Sequence, residues 1–299
     1  MKICCFGSLN LDYVYHVKHF VRSGETIAST NRSIVCGGKG LNQSIAIARS
    51  GSKVFHAGNV SATDGTILLN ALQSNDVNVD YVRQQNAVNG HAIIQVDEEG
   101  ENCIVLYGGT NQMTTNEQIE KVISNFDEGD YIVLQNEINL LPEIIRAASA
   151  KKMKVILNPS PVDGIKENVP LDLVDYLFVN ASEAMEISGE NSSEESCRTL
   201  RRKYPRMTIV CTLGADGAMV FDGTFTYCEG RKTHVVDTTG AGDTFLGYYV
   251  GLMAEGKSTL SCMKGAIAAA TLCVGRLGAS VSIPHRAQVE ALLAGETIQ

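Results

Sequence analysis

The sequence lacks any apolar run approaching the roughly 20 residues that cross a bilayer as a helix, so a membrane-spanning chain is not expected. It lacks a C-x-x-C pair, and its 9 cysteines, an odd number scattered over 299 residues, offer neither a zinc-ligand spacing nor a disulfide framework. They read instead as small buried hydrophobes kept reduced, which fits a cytoplasmic location. The sequence also lacks an excess of positive charge. A formal net charge of −8 argues against broad nucleic-acid binding, whose affinity comes from clustered Lys and Arg. Arg198, Arg201, Arg202, Lys203 and Arg206 do cluster, but on a polar helical stretch that reads as a solvated face. Residues 1–14 hold a short apolar run in which Asn10 and Asp12 are too polar for a signal-peptide core, and the run reads as a first strand. Neither an internal repeat nor a low-complexity linker is found.

What is present is an alternation. Apolar runs of strand length, among them Lys2 to Phe6, Tyr131 to Leu134, Lys154 to Leu157, Tyr176 to Val179 and Thr208 to Cys211, alternate with helical patterns. The patterns predict helices near 40–50, 64–75, 116–125, 141–151, 182–188, 193–203, 243–255, 258–275 and 285–294. That rhythm is the one of an α/β fold, a parallel sheet covered by helices. One region breaks it: His91 to Asp97 and Asn102 to Tyr107, around a polar turn, read as a hairpin, and residues 12–35 are strand-like without a helical period. Together they can form a small sheet apart from the main one, either a lid over a cleft or an extension of the main sheet.

Three glycine-bearing runs carry chemistry. In Asp237-Thr-Thr-Gly-Ala-Gly-Asp243 a strand is expected to lead into a glycine-rich turn that opens a helix. Gly240 and Gly242 free the backbone to curl N–H groups around a phosphate, and the helix N-terminus adds partial positive charge. Asp243 falls in the first helical turn, where a plain N-cap would also put it. A cap alone does not need the two glycines, whereas phosphoryl transfer needs both a proton acceptor and an anion hole. In Cys36-Gly-Gly-Lys-Gly-Leu-Asn42 the glycines permit close approach while Lys39 and Asn42 offer donors to an oxygen-rich ligand. Gly7-Ser-Leu-Asn-Leu-Asp12 is expected to end the first strand with Asn10 and Asp12 on one pleat face, suited to vicinal hydroxyls or simply to turn chemistry.

Two nucleotide motifs are set aside. Gly251-Leu-Met-Ala-Glu-Gly-Lys-Ser258 matches the P-loop pattern, but Gly251 lies within an apparent helix, Gly256 reads as its C-terminal stop and Ser258 as the next N-cap. No G-x-G-x-x-G follows the first strand, which disfavours a dinucleotide-dependent oxidoreductase.

These runs and their order resemble the ribokinase branch of the PfkB sugar-kinase family over nearly the whole chain. The resemblance implies a single domain over residues 1–299. Its core would be a three-layer, doubly wound, mostly parallel sheet, with a small β lid from about 12–35 and 90–108 that pairs with a second subunit. It implies an ATP-dependent carbohydrate kinase in which Asp243 takes the proton of a sugar's primary hydroxyl and Gly240, Ala241 and Gly242 form the anion hole. Asn10, Asp12, Gly38, Lys39, Gly40, Asn42 and Glu137 would hold the sugar, with ribose preferred among pentoses, hexoses and nucleosides. Asn180 and Glu183 match an N-x-x-E element that organises Mg2+ through water, although the residues alone favour a helix cap with an acidic first turn. Thr212, Leu213, Gly214 and Gly217 match a nucleotide-binding turn. Asp237, Thr239, Cys273, Arg276, Gly278 and Ser282 match a K+ site built mostly from carbonyl oxygens. Ile267 falls where relatives carry Asn or His beside adenine. A catalytically silent sugar or nucleotide sensor would be favoured by loss of Asp243 or a glycine of the hole, and none is lost.

Overall fold

A computed structural model describes residues 1–295. The strands are β1 (Ile3–Phe6), β2 (Asn10–His16), β3 (Asn31–Gly37), β4 (Val54–Ser61), β5 (Asn78–Gln85), β6 (Gly90–Val96), β7 (Asn102–Tyr107), β8 (Tyr131–Gln135), β9 (Lys154–Asn158), β10 (Tyr176–Asn180), β11 (Thr208–Thr212), β12 (Gly217–Phe221) and β13 (Phe225–Glu229). The helices are α1 (Lys39–Arg49), α2 (Thr66–Gln73), α3 (Asn116–Ile123), α4 (Leu141–Ala150), the short α5 (Ile165–Asn168), α6 (Ala181–Ser188), α7 (Ser193–Lys203), α8 (Ala241–Ala254), α9 (Thr259–Val274) and α10 (Arg286–Ala294).

Continuous apolar runs make strands that are covered on both faces. β1 is the clearest case, with Ile3, Cys4, Cys5 and Phe6 all wholly buried. Ile3 and Cys5 join the apolar layer that includes Ile45 of α1, Leu68 of α2, Phe245 of α8 and Met263 of α9. Cys4 and Phe6 join the opposite layer, with Ile119 of α3, Ile144 of α4, Ala184 of α6 and Cys197 of α7. Each Ile, Leu, Phe or Met side chain among them contributes about 1.5–3 kcal/mol on leaving water, so the three layers are held by the pleat's own alternation.

The large sheet runs β13-β12-β11-β10-β9-β8-β1-β4-β5. It is parallel from β5 to β11, and β12 and β13 close one edge antiparallel. β1 pairs with both β4 and β8, so the strand order reverses there, and a crevice opens at the carboxyl ends of the strands. The small sheet runs β3-β2-β6-β7 and is antiparallel except for the β2–β6 pair.

Several expectations need adjusting. Gly7 to Asp12 does not end the first strand: β1 stops at Phe6, and Asn10 and Asp12 open β2 in the other sheet. The start of α1 lies across that segment, with Leu41 N donating to Ser8 O at 3.0 Å, and turns the chain away from the large sheet. Residues 17–30, inside the expected strand-like stretch, belong to no strand. No strand precedes Asp237 either. That segment hangs from the end of α9, with Val236 N and Asp237 N both donating to Val274 O at 2.8 and 3.2 Å. Six cysteines are buried, but Cys36 and Cys228 are half-buried and Cys103 on the edge strand β7 is exposed. The basic cluster on α7 is only partly a solvated face. Arg198 lies over the Phe225 ring at 4.7 Å, Arg201 donates to Met207 O at 2.7 Å and Arg206 pairs with Asp175 at 2.8 Å. The P-loop look-alike is helix α8, then Gly256 at φ 78°, then Ser258 capping α9.

Candidate active site

Two helix starts meet over the crevice, and each depends on glycine. At Gly40 a Cβ would lie 2.5 Å from Ser8 N, so only glycine lets the first turn of α1 rest on the chain leaving β1. Gly240 takes φ 76° as the N-cap of α8, and a side chain at Gly242 would meet nothing within 4 Å, because the space in front of it is the crevice. At the start of α8, Ala241 N donates back to Thr238 O at 3.2 Å, and the N–H groups of Gly242 and Asp243 have no partner within the helix.

Asp243 is not the cap of α8. It lies in the first turn, 8% exposed, and its carboxylate is held from α1. Asn42 Nδ2 donates to Oδ2 at 3.0 Å and Gln43 Nε2 to Oδ1 at 2.9 Å. A cavity of about 250 Å³ lies against this pair, lined by Lys39, Asn180, Glu183, Thr212, Gly240, Gly242 and Asp243, with Asn158, Ser160, Phe178, Val179, Phe245 and Leu246 completing the wall.

Beside it, Glu137 stands two residues past β8 and accepts hydrogen bonds from the Ser8 hydroxyl and, at 3.1 Å, from Lys39 N. Burial pushes the Glu137 carboxyl above its ordinary value, against the pull of Lys39 and Ser8. Burial alone would depress the Lys39 ammonium, but the charges of Asp243, Glu137 and Glu183 outweigh it and hold Lys39 above its ordinary value. Asn10 Oδ1 accepts from Asn111 Nδ2 at 2.7 Å, and Asn111 Oδ1 in turn accepts from Leu9 N at 2.9 Å. Asp12 is pushed up to about 6, by burial first and by the charge of Glu137 second. Two buried oxygens here have no partner, Asp12 Oδ1 and Asn42 Oδ1. A buried acceptor left bare is expensive, and a bound hydroxyl satisfies it.

Asn180 and Glu183 form a capping box at the start of α6, with Glu183 N on Asn180 Oδ1 at 2.8 Å and Asn180 N on Glu183 Oε2 at 3.0 Å. The plain reading of N-x-x-E thus holds, and both residues also face the cavity. Thr212 reaches the cavity from the end of β11. Leu213, Gly214 and Gly217 make the turn into β12, where Leu213 N donates to Gly217 O at 2.8 Å. Ile267 lines a separate cavity of about 520 Å³ between β13, α9 and α10. Behind Gly240, Asp237 accepts from Thr239 N at 2.9 Å and Gly278 N at 2.8 Å, bonds that hold its carboxyl below the ordinary value although burial opposes them. Cys273 Sγ lies 3.0 Å from Ser282 Oγ and 3.9 Å from Thr239 O, and Arg276 N donates to Cys273 O at 3.1 Å. The six residues matched to a cation site thus sit on two fastened loops and the last turn of α9, which offer carbonyl and hydroxyl oxygens that suit a hard cation.

Sequence reasoning missed Gln43, Ser8, Asn111 and Asn158. Gln43 carried a signal, since a second amide follows Asn42 on the same buried helix turn. Asn111 carried none, because 101 residues separate it from its partner.

A family model described as "pfkB family carbohydrate kinase" matches residues 1–286. A ribokinase of Haemophilus influenzae is 33% identical over 290 residues, covering 94% of each chain. A ribokinase of Bacillus subtilis is 32% identical over 303 residues, covering 98% of this chain and 99% of the other. The structure of Arabidopsis thaliana ribokinase complexed with ribose and ATP superposes with a TM-score of 0.86 at 28% identity, covering 97% of this chain and 98% of that one.

Proposed function

The chain belongs to the pfkB family of carbohydrate kinases, and on that premise we propose that it transfers the γ-phosphoryl group of ATP to the primary hydroxyl of D-ribose, giving D-ribose 5-phosphate. Asp243 takes the hydroxyl proton as the sugar oxygen attacks the γ-phosphorus in line, the bond from that phosphorus to ADP breaks, and Asp243 holds the proton. The N–H groups around Gly240, Ala241 and Gly242 receive the charge that spreads over the transferred group. The observation that carries this reading is the bond from Asn42 Nδ2 to Asp243 Oδ2 at 3.0 Å, which joins the early and late glycine runs across 201 residues.

Asn10, Asp12, Gly38, Lys39, Gly40, Asn42 and Glu137 hold the sugar in this reading, and the bare Asp12 Oδ1 and Asn42 Oδ1 support it as acceptors awaiting hydroxyls. Asn180, Thr212, Leu213, Gly214 and Gly217 hold the nucleotide. Glu183 has one carboxylate oxygen outside its capping bond, which suits a water-mediated Mg2+. Bound with ATP, that ion would neutralise charge on the phosphates. Asp237, Thr239, Cys273, Arg276, Gly278 and Ser282 would hold K+ and stiffen the loop behind the anion hole. The chain acts as one domain whose small sheet closes as a lid and excludes water. In this reading it pairs with a second copy through that sheet, and the protein works in the cytoplasm. The apolar, open part of the sheet supports the pairing, and no described helix is long and apolar enough to cross a membrane.

The reading is tested by a panel of pentoses, hexoses and nucleosides assayed for ATP-coupled ADP release, with and without K+. Ribose is expected to give the highest kcat/KM; a nucleoside or hexose ahead by tenfold overturns the substrate and leaves the reaction class standing.

A further inference from the structure

A set of amides extends behind the bond from Gln43 to Asp243. Gln43 is wholly buried, as is Gln135 at the end of β8. Gln43 Nε2 donates to Asp243 Oδ1 at 2.9 Å and to Asn158 Oδ1 at 3.3 Å, while Gln43 Oε1 accepts from Gln135 Nε2 at 2.7 Å. An amide's oxygen and nitrogen are nearly isosteric, so its orientation must be fixed by a partner that cannot change sign. Here that partner is a backbone carbonyl. Phe178 O can only accept, so Asn158 Nδ2, 3.1 Å away, donates to it and Asn158 turns its oxygen toward Gln43. Gln43 then has to present its nitrogen to Asn158 and to Asp243, and its oxygen to Gln135. The carbonyl and the acceptor-only carboxylate together fix the direction of every bond in the set, and leave the buried Gln135 Oε1 without a partner.

We propose that Gln43, oriented by Asn158 and Gln135, is a positioning residue that holds the Asp243 carboxylate by Oδ1 and leaves the second lone pair of Oδ2, beside the bond from Asn42, to take the substrate proton. Oδ1 is engaged by a side chain with no exposure, behind the cavity wall. Oδ2 accepts one bond, from Asn42 Nδ2 at 3.0 Å, and keeps a second lone pair, while Asn42's own Oδ1 is bare and buried. A rotation of the carboxylate would break the Gln43 bond in a place water does not reach, so the geometry for proton transfer is set before sugar arrives. The proposal rests on Asp243 as the base, and it adds which oxygen acts and what holds it there.

The test is a double-mutant cycle in the full-length protein with ATP and ribose. Gln43→Met keeps the volume and removes the donors. It is expected to lower kcat about 30-fold, to leave the KM for ribose within about threefold, and to cause no further loss when added to Asp243→Asn, because Gln43 acts only through that carboxylate. Additive loss in the Asp243→Asn background, a rise in KM as large as the fall in kcat, or a kcat within twofold of the parent overturns it. Gln135→Met is read in the same cycle and keeps the question decidable if Gln43→Met does not fold. It removes the orienting bond and the longer one from Gln135 Nε2 to Cys5 Sγ at 3.5 Å but leaves the bond to Asp243, so about a fivefold loss in kcat is expected, and additivity with Asp243→Asn again refutes the proposal. If Asp243→Asn alone turns over near the parental rate, the base assignment itself has failed. If Asp243→Asn is inactive and the glutamine variants are not impaired, only the positioning role falls.

Discussion

In the large sheet all four residues of β1 are at 0% exposure, whereas in the small sheet every residue of β7, from Asn102 to Tyr107, is exposed. The two sheets have similar sequence texture, with short apolar runs rich in Ile and Val, so the difference lies in what covers them. Helices lie on both faces of the first, and on the second the row from Asp12 through Ala92 to Leu106, with Val35 on the other side of Asp12, runs from the crevice into the open. The large sheet fixes backbone positions to which catalytic groups can be referred. The small sheet carries polar side chains to the crevice on a support that is not itself enclosed, which is the arrangement of a part that moves or is covered by something else.

The largest effect is expected where the floor meets chemistry. Asp243→Asn should lower kcat by about 10⁴-fold with sugar binding retained, since the amide keeps the shape and cannot take the proton. A loss below tenfold, measured by ADP release beside a binding isotherm, would remove Asp243 from its role. Next is the floor itself. Phe6→Ala should destabilise the fold by about 3–5 kcal/mol in denaturant titration, because Phe6 is wholly enclosed and leaves a cavity. An equal cost for truncating Tyr107 on β7, which is 56% exposed, would erase the contrast between the sheets.

A smaller effect is expected at Asp12, where the small sheet reaches the crevice. Its folded value of about 6 lies above its ordinary 3.8, so between those values the folded state holds the proton more tightly than the unfolded chain. Stability therefore falls as pH rises through that window, and above it the charged carboxylate costs on the order of 3 kcal/mol at most. Asp12→Asn should raise the melting temperature at pH 8, lose that advantage near pH 4, and weaken sugar affinity at least tenfold. A variant that is less stable at pH 8, or that binds ribose as before, argues against Asp12 as a site group held at the expense of the fold.

The floor was readable in the sequence because its signals are local. Strand runs, every helix from α1 to α10 except the one-turn α5, and the Gly256–Ser258 break each leave a mark within a few residues, and the 240–243 turn did so through its glycines. The small sheet was half readable. Its hairpin was plain, but nothing near Asn10 shows that the chain has already left the large sheet, since Leu9 and Leu11 continue the apolar texture. The segment before Asp237 looked like a strand for the same reason, yet its N–H groups are taken by the end of α9. Partners far apart in sequence were illegible on physical grounds: nothing about Asn111 or Asn158 taken alone says which distant amide it will meet.

The smallest effect on folding is expected at Leu106, and it is the one that bears most on the comparison. Leu106 is 59% exposed and Ile104 is 50% exposed, on the face that also bears Asp12, so the apolar patch is continuous with the sugar-binding candidates. A charge at such a position changes the stability of an isolated chain by about 0.5 kcal/mol or less, because nothing within the chain packs there. If a second copy covers the patch, the same charge is buried without a partner and the pair comes apart. Leu106→Asp should therefore leave the denaturation midpoint at low protein concentration unchanged while shifting sedimentation from dimer to monomer, and should raise the KM for ribose because one wall of the closed site is lost. A parent protein that sediments as a monomer at micromolar concentration, or a variant that stays dimeric, would mean that the open face is covered by the chain's own closure and not by its twin.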